Sequence, residues 1–237
     1  MSVRITSLVV AAAVAFGGSA LFVASSSAAP ASQGWTTNGG DISNTRYARL
    51  TGITPENARR LGGAWRTELP GASSKASPIV VDGVMYVAAG GGAIQGGGGG
   101  AVYALDAATG VIKWTFSPQG AGISALNKGV AVGDGKVFVG LSNAHVAAID
   151  VKTGKLVWDG LAGEDPPAAG QFISAAPVVA DGKVLVGVGS GDAGFRCRLV
   201  ALDVKTGKQV WSFISIPGPG EPGHETWPQD NDAWKHG

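Results

Sequence analysis

Three copies of one short pattern constrain this chain more than any other feature: Ala104-Leu-Asp106-x-x-Thr109-Gly110-x-x-x-Trp114, Ala148-Ile-Asp150-x-x-Thr153-Gly154-x-x-x-Trp158 and Ala201-Leu-Asp203-x-x-Thr206-Gly207-x-x-x-Trp211. The Asp-to-Trp distance is eight residues in every copy. Each copy breaks at Asp/Thr-Gly and resumes with β-branched residues before Trp, the signature of two strands joined by a tight turn. A second hairpin signal lies upstream of each: Val80-Val81-Asp82-Gly83-Val84, Val132-Gly133-Asp134-Gly135-Lys136 and Val179-Ala180-Asp181-Gly182-Lys183. Two hairpins make a four-stranded antiparallel unit. The Trp residues recur at spacings of 44 and 53, which suits propeller blades of about 40–50 residues better than any helical repeat. The expected fold is therefore all-β, a partial β-propeller of three blades. Each Trp is expected to pack between blades while Asp and Thr serve turn donors, so the repeat is structural.

Ahead of the first unit, Thr54-Pro55-Glu56-Asn57 offers an N-cap, a Pro at N1 and a first-turn acid, and Gly62-Gly63 a stop. A short helix is expected there, followed by a strand around Trp65. Three units cannot close a ring, because an unpaired blade leaves apolar faces and strand edges in water. The expectation is an incomplete propeller over 32–237, either the N-terminal part of a longer protein or one finished by another chain.

Composition removes several function classes. Gly is 39 of 237 residues, which favours turns, and 18 basic against 17 acidic residues give a net charge of +1. No basic field exists to gather nucleic acid or anionic lipid. Cys197 is the sole cysteine, which excludes an intramolecular disulfide and a cysteine-based zinc site. Arg4, the apolar run Leu8 to Ala24, and small residues Ala29 and Ala31 read as a signal peptide over 1–31. The competing reading is a retained anchor, which alone would bring a membrane into play. Either reading places the rest of the chain outside the cytoplasm, in the periplasm.

Several motifs have bland readings. Gly189-Ser-Gly191-Asp-Ala-Gly194 matches G-x-G-x-x-G, but the third repeat follows where a dinucleotide site needs a helix. The Gly90 to Gly100 run lacks the Lys-Ser/Thr of a P-loop. His145 lies in a strand pattern, and His224-Glu225-Thr226-Trp227 lacks the second His of a zinc protease helix. Cys197, between Arg196 and Arg198, reads as a packed cysteine rather than an activated thiol. The segment Pro217-Gly-Pro219-Gly-Glu221-Pro222-Gly-His224-Glu225-Thr-Trp227 is too long for a blade turn and reads as a shaped loop held at the propeller mouth.

That segment, the opening Trp35-Thr-Thr-Asn38-Gly39-Gly40-Asp41-Ile-Ser-Asn44-Thr-Arg46-Tyr47 and the three Trp-ending repeats together resemble the pyrroloquinoline-quinone (PQQ)-dependent alcohol dehydrogenases of the methanol and ethanol dehydrogenase type. The resemblance runs from about Trp35 to Gly237 and implies an eight-bladed propeller with quinone and calcium on its axis, oxidising a small primary alcohol. It also implies a periplasmic electron acceptor such as cytochrome c. Asp192 matches a glutamate that ligates calcium in the family, Ser174 a hydroxyl that hydrogen-bonds the quinone, and Ser190 and Gly191 the adjoining binding loop. Lys128 replaces a family arginine, keeping the charge without the planar fork. Gly122 and Ile123 stand where many members have adjacent cysteines, and Lys75 where a glutamate is usual. The family's stacking tryptophan and catalytic aspartate would lie beyond Gly237, so this chain alone is expected to lack the base. The other function in view is a non-catalytic propeller that binds or assembles proteins.

Overall fold

The computed structural model describes residues 34–40, 43–48, 50–70, 74–91, 99–164, 170–189, 191 and 194–235. The segment read as a signal peptide lies outside them. Twelve strands form three four-stranded antiparallel sheets in simple sequence order. The first holds β1 (Ile79–Val81), β2 (Val84–Gly90), β3 (Gly100–Asp106) and β4 (Ile112–Phe116). The second holds β5 (Ala131–Gly133), β6 (Lys136–Gly140), β7 (His145–Asp150) and β8 (Leu156–Leu161). The third holds β9 (Val178–Ala180), β10 (Lys183–Val188), β11 (Arg198–Asp203) and β12 (Gln209–Ile214). These are the three expected blades.

Each first hairpin turns on Asp-Gly. Asp82, Asp134 and Asp181 have φ of 49°, 50° and 46°, and Gly83, Gly135 and Gly182 follow at 74°, 70° and 68°. Two successive positive φ values match the right-handed strand twist, which is why Asp-Gly is used. In each second hairpin the Asp side chain replaces missing backbone partners. Asp150 Oδ1 accepts from the Thr153 amide at 2.8 Å and the Thr153 hydroxyl at 2.7 Å, and Asp106 and Asp203 do the same with Thr109 and Thr206. The register slips once per blade, at Ala104/Leu105, Ala148/Ile149 and Ala201/Leu202. The shared bulge puts each Trp opposite the repeat's Ala.

Stacking buries both faces of the middle sheet. Val137 and Val139 of β6 join Ile79, Tyr86 and Val102 of the first sheet, whereas Phe138 joins Val184, Val186 and Leu202 of the third. Alternate side chains on a strand point to opposite faces, so Val-Phe-Val serves two cores at once. Burying Phe138 fully contributes about 1.5–3 kcal/mol before entropy.

The tryptophans staple one sheet to the next. Trp114 on β4 donates its indole N–H to Val151 O at 3.1 Å, and Trp158 on β8 donates to Val204 O at 3.2 Å. Each ring lies on the turn glycine of the next repeat: a Cβ on Gly154 or Gly207 would come within 2.8 or 2.6 Å of it. Trp65 docks on the first sheet in the same way, through Ala107 O at 3.2 Å and against Gly110. The strand expected around Trp65 is not formed, because no described strand lies beside that segment to pair with it. The expected helix is a single 3-10 turn, Ala58–Arg60, with Asn57 rather than Thr54 at its N-cap. Trp211 has no described acceptor, and on β12 Trp211 is 40% and Phe213 64% exposed.

Candidate functional site at the open end of the sheets

An antiparallel meander puts its turns alternately at two ends. The Asp-Gly and Asp-x-x-Thr-Gly turns all fall at one end. The entries to β5 and β9, the connection from β10 to β11 and the exit from β12 all fall at the other. Lys128, Ser174 and Gly191 therefore meet at this open end, although 63 residues separate the first from the last.

Backbone ties fix their relation. Lys128 N–H donates to Ser174 O at 2.8 Å, and the Lys128 carbonyl accepts from Ser77 N–H at 3.0 Å. Two residues before Ser174, Phe172 exchanges hydrogen bonds with Gly189, at 3.0 and 3.4 Å, which carries the chain on to Gly191. The Lys128 side chain is exposed, and neither its ammonium nor the Ser174 hydroxyl has a partner among the described residues. Ser190 and Asp192 lie outside the described residues. Among the described residues no three His, Cys, Asp or Glu side chains gather as a metal site.

Lys128 lies on a cavity of about 420 Å³ between the Trp35–Asn44 arm and the strands β5 and β9. Val130, Val132 and Val179 give it apolar walls, and Asn38 and Thr37 give it polar ones. The arm is held by an antiparallel bridge from Trp35 to Val80, whose N–H donates to Trp35 O at 2.8 Å. Asn38 Oδ1 is buried without a hydrogen-bond partner among the described residues. An ammonium, polar groups on the arm and apolar walls together give a cavity of the size and mixed character of a small-ligand site.

Gly122 and Ile123 are fastened elsewhere. Gly122 N–H donates to Ser142 Oγ at 3.0 Å, while Ile123 is 1% exposed and belongs to the core between the first two sheets. Ile123 packs as a core residue instead of covering a ligand. Lys75 is exposed at the entry to β1.

Sequence reasoning missed the polar side chains that shape this end. Asn127 is buried, donates to Gly140 O at 3.2 Å and accepts from Gly129 N–H at 2.9 Å, and so sets the entry to β5 beside Lys128. Gln171 is buried and accepts from Glu164 N–H at 3.0 Å. Arg198 pairs with Glu164 at 2.5 Å across two blades. No repeated local pattern marks these residues, and Asn127 and Arg198 each reach a partner at least thirteen residues away. His145 pairs with Asp159 at 2.6 Å on neighbouring strands, a structural role. His224 receives its own neighbours in the 217–234 loop, where its Nδ1 meets Pro217 O at 3.0 Å. Glu221 in that loop is held below the usual carboxylate range, first by the Gly218 N–H and then by Arg196.

Stacked four-stranded antiparallel sheets stapled by tryptophans define part of a β-propeller. Residues 35–237 match the family model described as glucose/ethanol/alcohol dehydrogenase, β-propeller domain, and the chain belongs to this PQQ-dependent alcohol dehydrogenase family. It is 39% identical over 198 residues to the 1-butanol dehydrogenase (cytochrome c) of Thauera butanivorans, covering 79% of this chain and 27% of that protein. The crystal structure of the quinohemoprotein alcohol dehydrogenase of Comamonas testosteroni superposes with a TM-score of 0.68 at 34% identity, over 81% of this chain and 29% of that one. A europium-containing methanol dehydrogenase gives a TM-score of 0.70 at 30% identity, over 86% of this chain and 38% of that one. The chain thus spans well under half the length of each of these relatives.

Proposed function

We propose that this chain supplies three blades and one wall of the cofactor pocket of an exported, PQQ- and calcium-dependent alcohol dehydrogenase that oxidises a small primary alcohol. The observation that carries the reading is the convergence of Lys128, Ser174 and Gly191 on one end of the sheets, with the Lys128 ammonium beside a cavity with apolar walls and without a partner among the described residues. The Lys128 ammonium offers a point charge to a carboxylate or carbonyl, and Ser174 a hydroxyl donor. Gly191 has no side chain to keep a ligand from the backbone, Ser190 would adjoin it in the binding loop, and a carboxylate such as that of Asp192 suits a hard cation, calcium in this proposal. When bound, PQQ supplies the two-electron acceptor for the hydride of the alcohol. The valine walls would keep water from the bound cofactor. A c-type cytochrome is the proposed electron acceptor, as the names of the butanol and quinohemoprotein relatives suggest.

The test is PQQ binding to the full chain, followed by quenching of tryptophan fluorescence, with Lys128→Ala as control. Saturable binding, weakened about tenfold in the variant, is expected from loss of one charge-assisted hydrogen bond. No turnover of a primary alcohol is expected from residues 32–237 alone, even with PQQ and calcium supplied. Absence of saturable PQQ binding would favour a non-catalytic propeller instead.

A further inference from the structure

We propose that Arg196 is a positioning residue that clamps the 217–234 loop onto the turn carrying Gly191, so that the two segments order together at the open end. The inference rests on the reading of that end as a cofactor pocket, and adds a residue to which neither the repeats nor the family resemblance assigns a role.

The 217–234 segment has no sheet to hold it. Its regular structure amounts to two 3-10 turns, His224–Thr226 and Ala233–Lys235, and ordering so long a loop costs entropy that specific contacts must offset. Arg196 provides contacts to two separated parts of it and to the residue just before it. Its Nε donates to Ile216 O at 2.8 Å, a terminal nitrogen donates to the Glu221 carboxylate, and its guanidinium lies over the Trp234 ring at 5.5 Å from the centroid.

The loop is built to receive it. The Glu221 oxygen that Arg196 meets also accepts from Gly218 N–H at 2.6 Å, which folds the Pro-Gly-Pro-Gly stretch around one carboxylate. A Cβ on Gly218 would come within 2.9 Å of the Trp234 ring and 3.2 Å of the guanidinium, so only glycine leaves room for both. His224 meets the same indole edge-on, with ring centroids 5.9 Å apart at 88°.

The other side of Arg196 leads to the candidate site. Cys197 Sγ lies 3.6 Å from where a Cβ on Gly191 would sit, and Cys197 O accepts from Ser215 N–H at 2.9 Å and Ser215 Oγ at 2.8 Å. Gly194 N–H closes the turn by donating to Gly191 O at 2.9 Å. One guanidinium thus joins the strand after the Gly191 turn to a loop whose last contact is 38 residues further along. A planar fork that also stacks on an aromatic face is required, and lysine provides neither geometry.

The test is amide hydrogen exchange on the full chain without quinone, for wild type, Arg196→Ala, Arg196→Lys and Glu221→Gln. Arg196→Ala is expected to speed exchange at Glu221, His224 and Gly194 about tenfold or more, while Leu185 and Val200 in the third sheet keep their protection. Arg196→Lys is expected to restore less than half of the loss, and Glu221→Gln to loosen Glu221 and His224 more than Gly194. Unchanged protection at Glu221 and His224 in Arg196→Ala would overturn the clamp. Full rescue by lysine would reduce Arg196 to a simple charge, and a loosened loop with an unmoved Gly194 would refute the coupling. If Arg196→Ala does not fold, the lysine and Glu221→Gln variants decide. PQQ binding to the folded variants is then measured by fluorescence: equal affinity in wild type and Arg196 variants would overturn the positioning role. Wild type that binds no PQQ would instead sink the cofactor reading, while the exchange result still decides the clamp.

Discussion

The two ends of the same three sheets are built on different principles. At the turn end every blade repeats one solution, Asp-Gly at positive φ and Asp-Thr hydrogen bonds, and the tryptophans of the first two blades donate to the next sheet. At the open end no two connections are alike, and buried Asn127, Ser142 and Gln171 each tie a different pair of segments. Repetition suits a place where the task is identical in each blade, the stacking of sheet on sheet. Variation suits a place where, in the proposed function, side chains from several blades would converge on one ligand. Stability and binding are therefore separable, and substitutions at the two ends should separate them.

The largest effect is expected at a staple. Trp158→Ala removes a ring packed on Phe138 at 5.6 Å, its contact with Gly207 and its bond to Val204 O. It should lower unfolding free energy by about 2–4 kcal/mol in urea denaturation. Trp211→Ala removes the same residue type at the same repeat position, but its ring is 40% exposed and docks on no described sheet. It should cost about 1 kcal/mol or less. Equal losses in the two variants would break the stapling account.

Gly154→Ala comes next. Gly154 has φ +70°, and a Cβ would lie 2.8 Å from the Trp114 ring. Left-handed strain of about 1 kcal/mol and overpacking of about 1–3 kcal/mol point the same way. Gly135→Ala isolates the first cost, because a Cβ there meets nothing within 4 Å while φ is +70°. Equal urea midpoints for the two variants would mean that the Trp114 contact contributes nothing.

The same contrast explains what the sequence made legible. Asp150 finds its partners within three residues, so a linear pattern carries the whole turn. Asn127 finds Gly140 O, thirteen residues away, and Arg196 finds Glu221 and Trp234 at greater distance still. No periodicity marks such residues, and composition does not separate them from ordinary loop positions. Blade number, hairpin turns and the tryptophan role were readable from the residues. Lys128 and Ser174 entered only through family resemblance, and no pattern in the sequence announces the bond from the Lys128 amide to the Ser174 carbonyl. The strand expected at Trp65 failed for the converse reason: its local pattern is present, but strand pairing is non-local. Its tryptophan docks without a sheet around it.

An open-end substitution should reverse the order of effects. Lys128→Ala removes an exposed side chain with no described partner, so urea stability should stay within about 0.5 kcal/mol of wild type. Only PQQ affinity should move. A stability loss as large as that of Trp158→Ala would show that the two ends are not separable.

The smallest effect tests the turn end by pH. The hydroxyls of Thr109, Thr153 and Thr206, bonded to Asp106, Asp150 and Asp203, hold these carboxyls below the usual range. A lowered folded-state value means that the unfolded chain takes up protons first as pH falls. The stabilisation is therefore complete above the ordinary carboxylate pKa, about 4, and disappears as pH drops through the lowered values. Because all three carboxylates face solvent, each contribution is small and screened by salt. The urea midpoint of wild type should fall as pH drops below about 4. Replacing all three Asp by Asn keeps a side-chain oxygen for the threonine donors but removes the titration, so the decline should flatten. An unaltered decline would assign acid lability to the other carboxyls held low, Asp134 and Asp181 beside Lys136 and Lys183, Glu56 and Glu221, and the Asp-Thr carboxylates would then stabilise by hydrogen bonding independently of their charge.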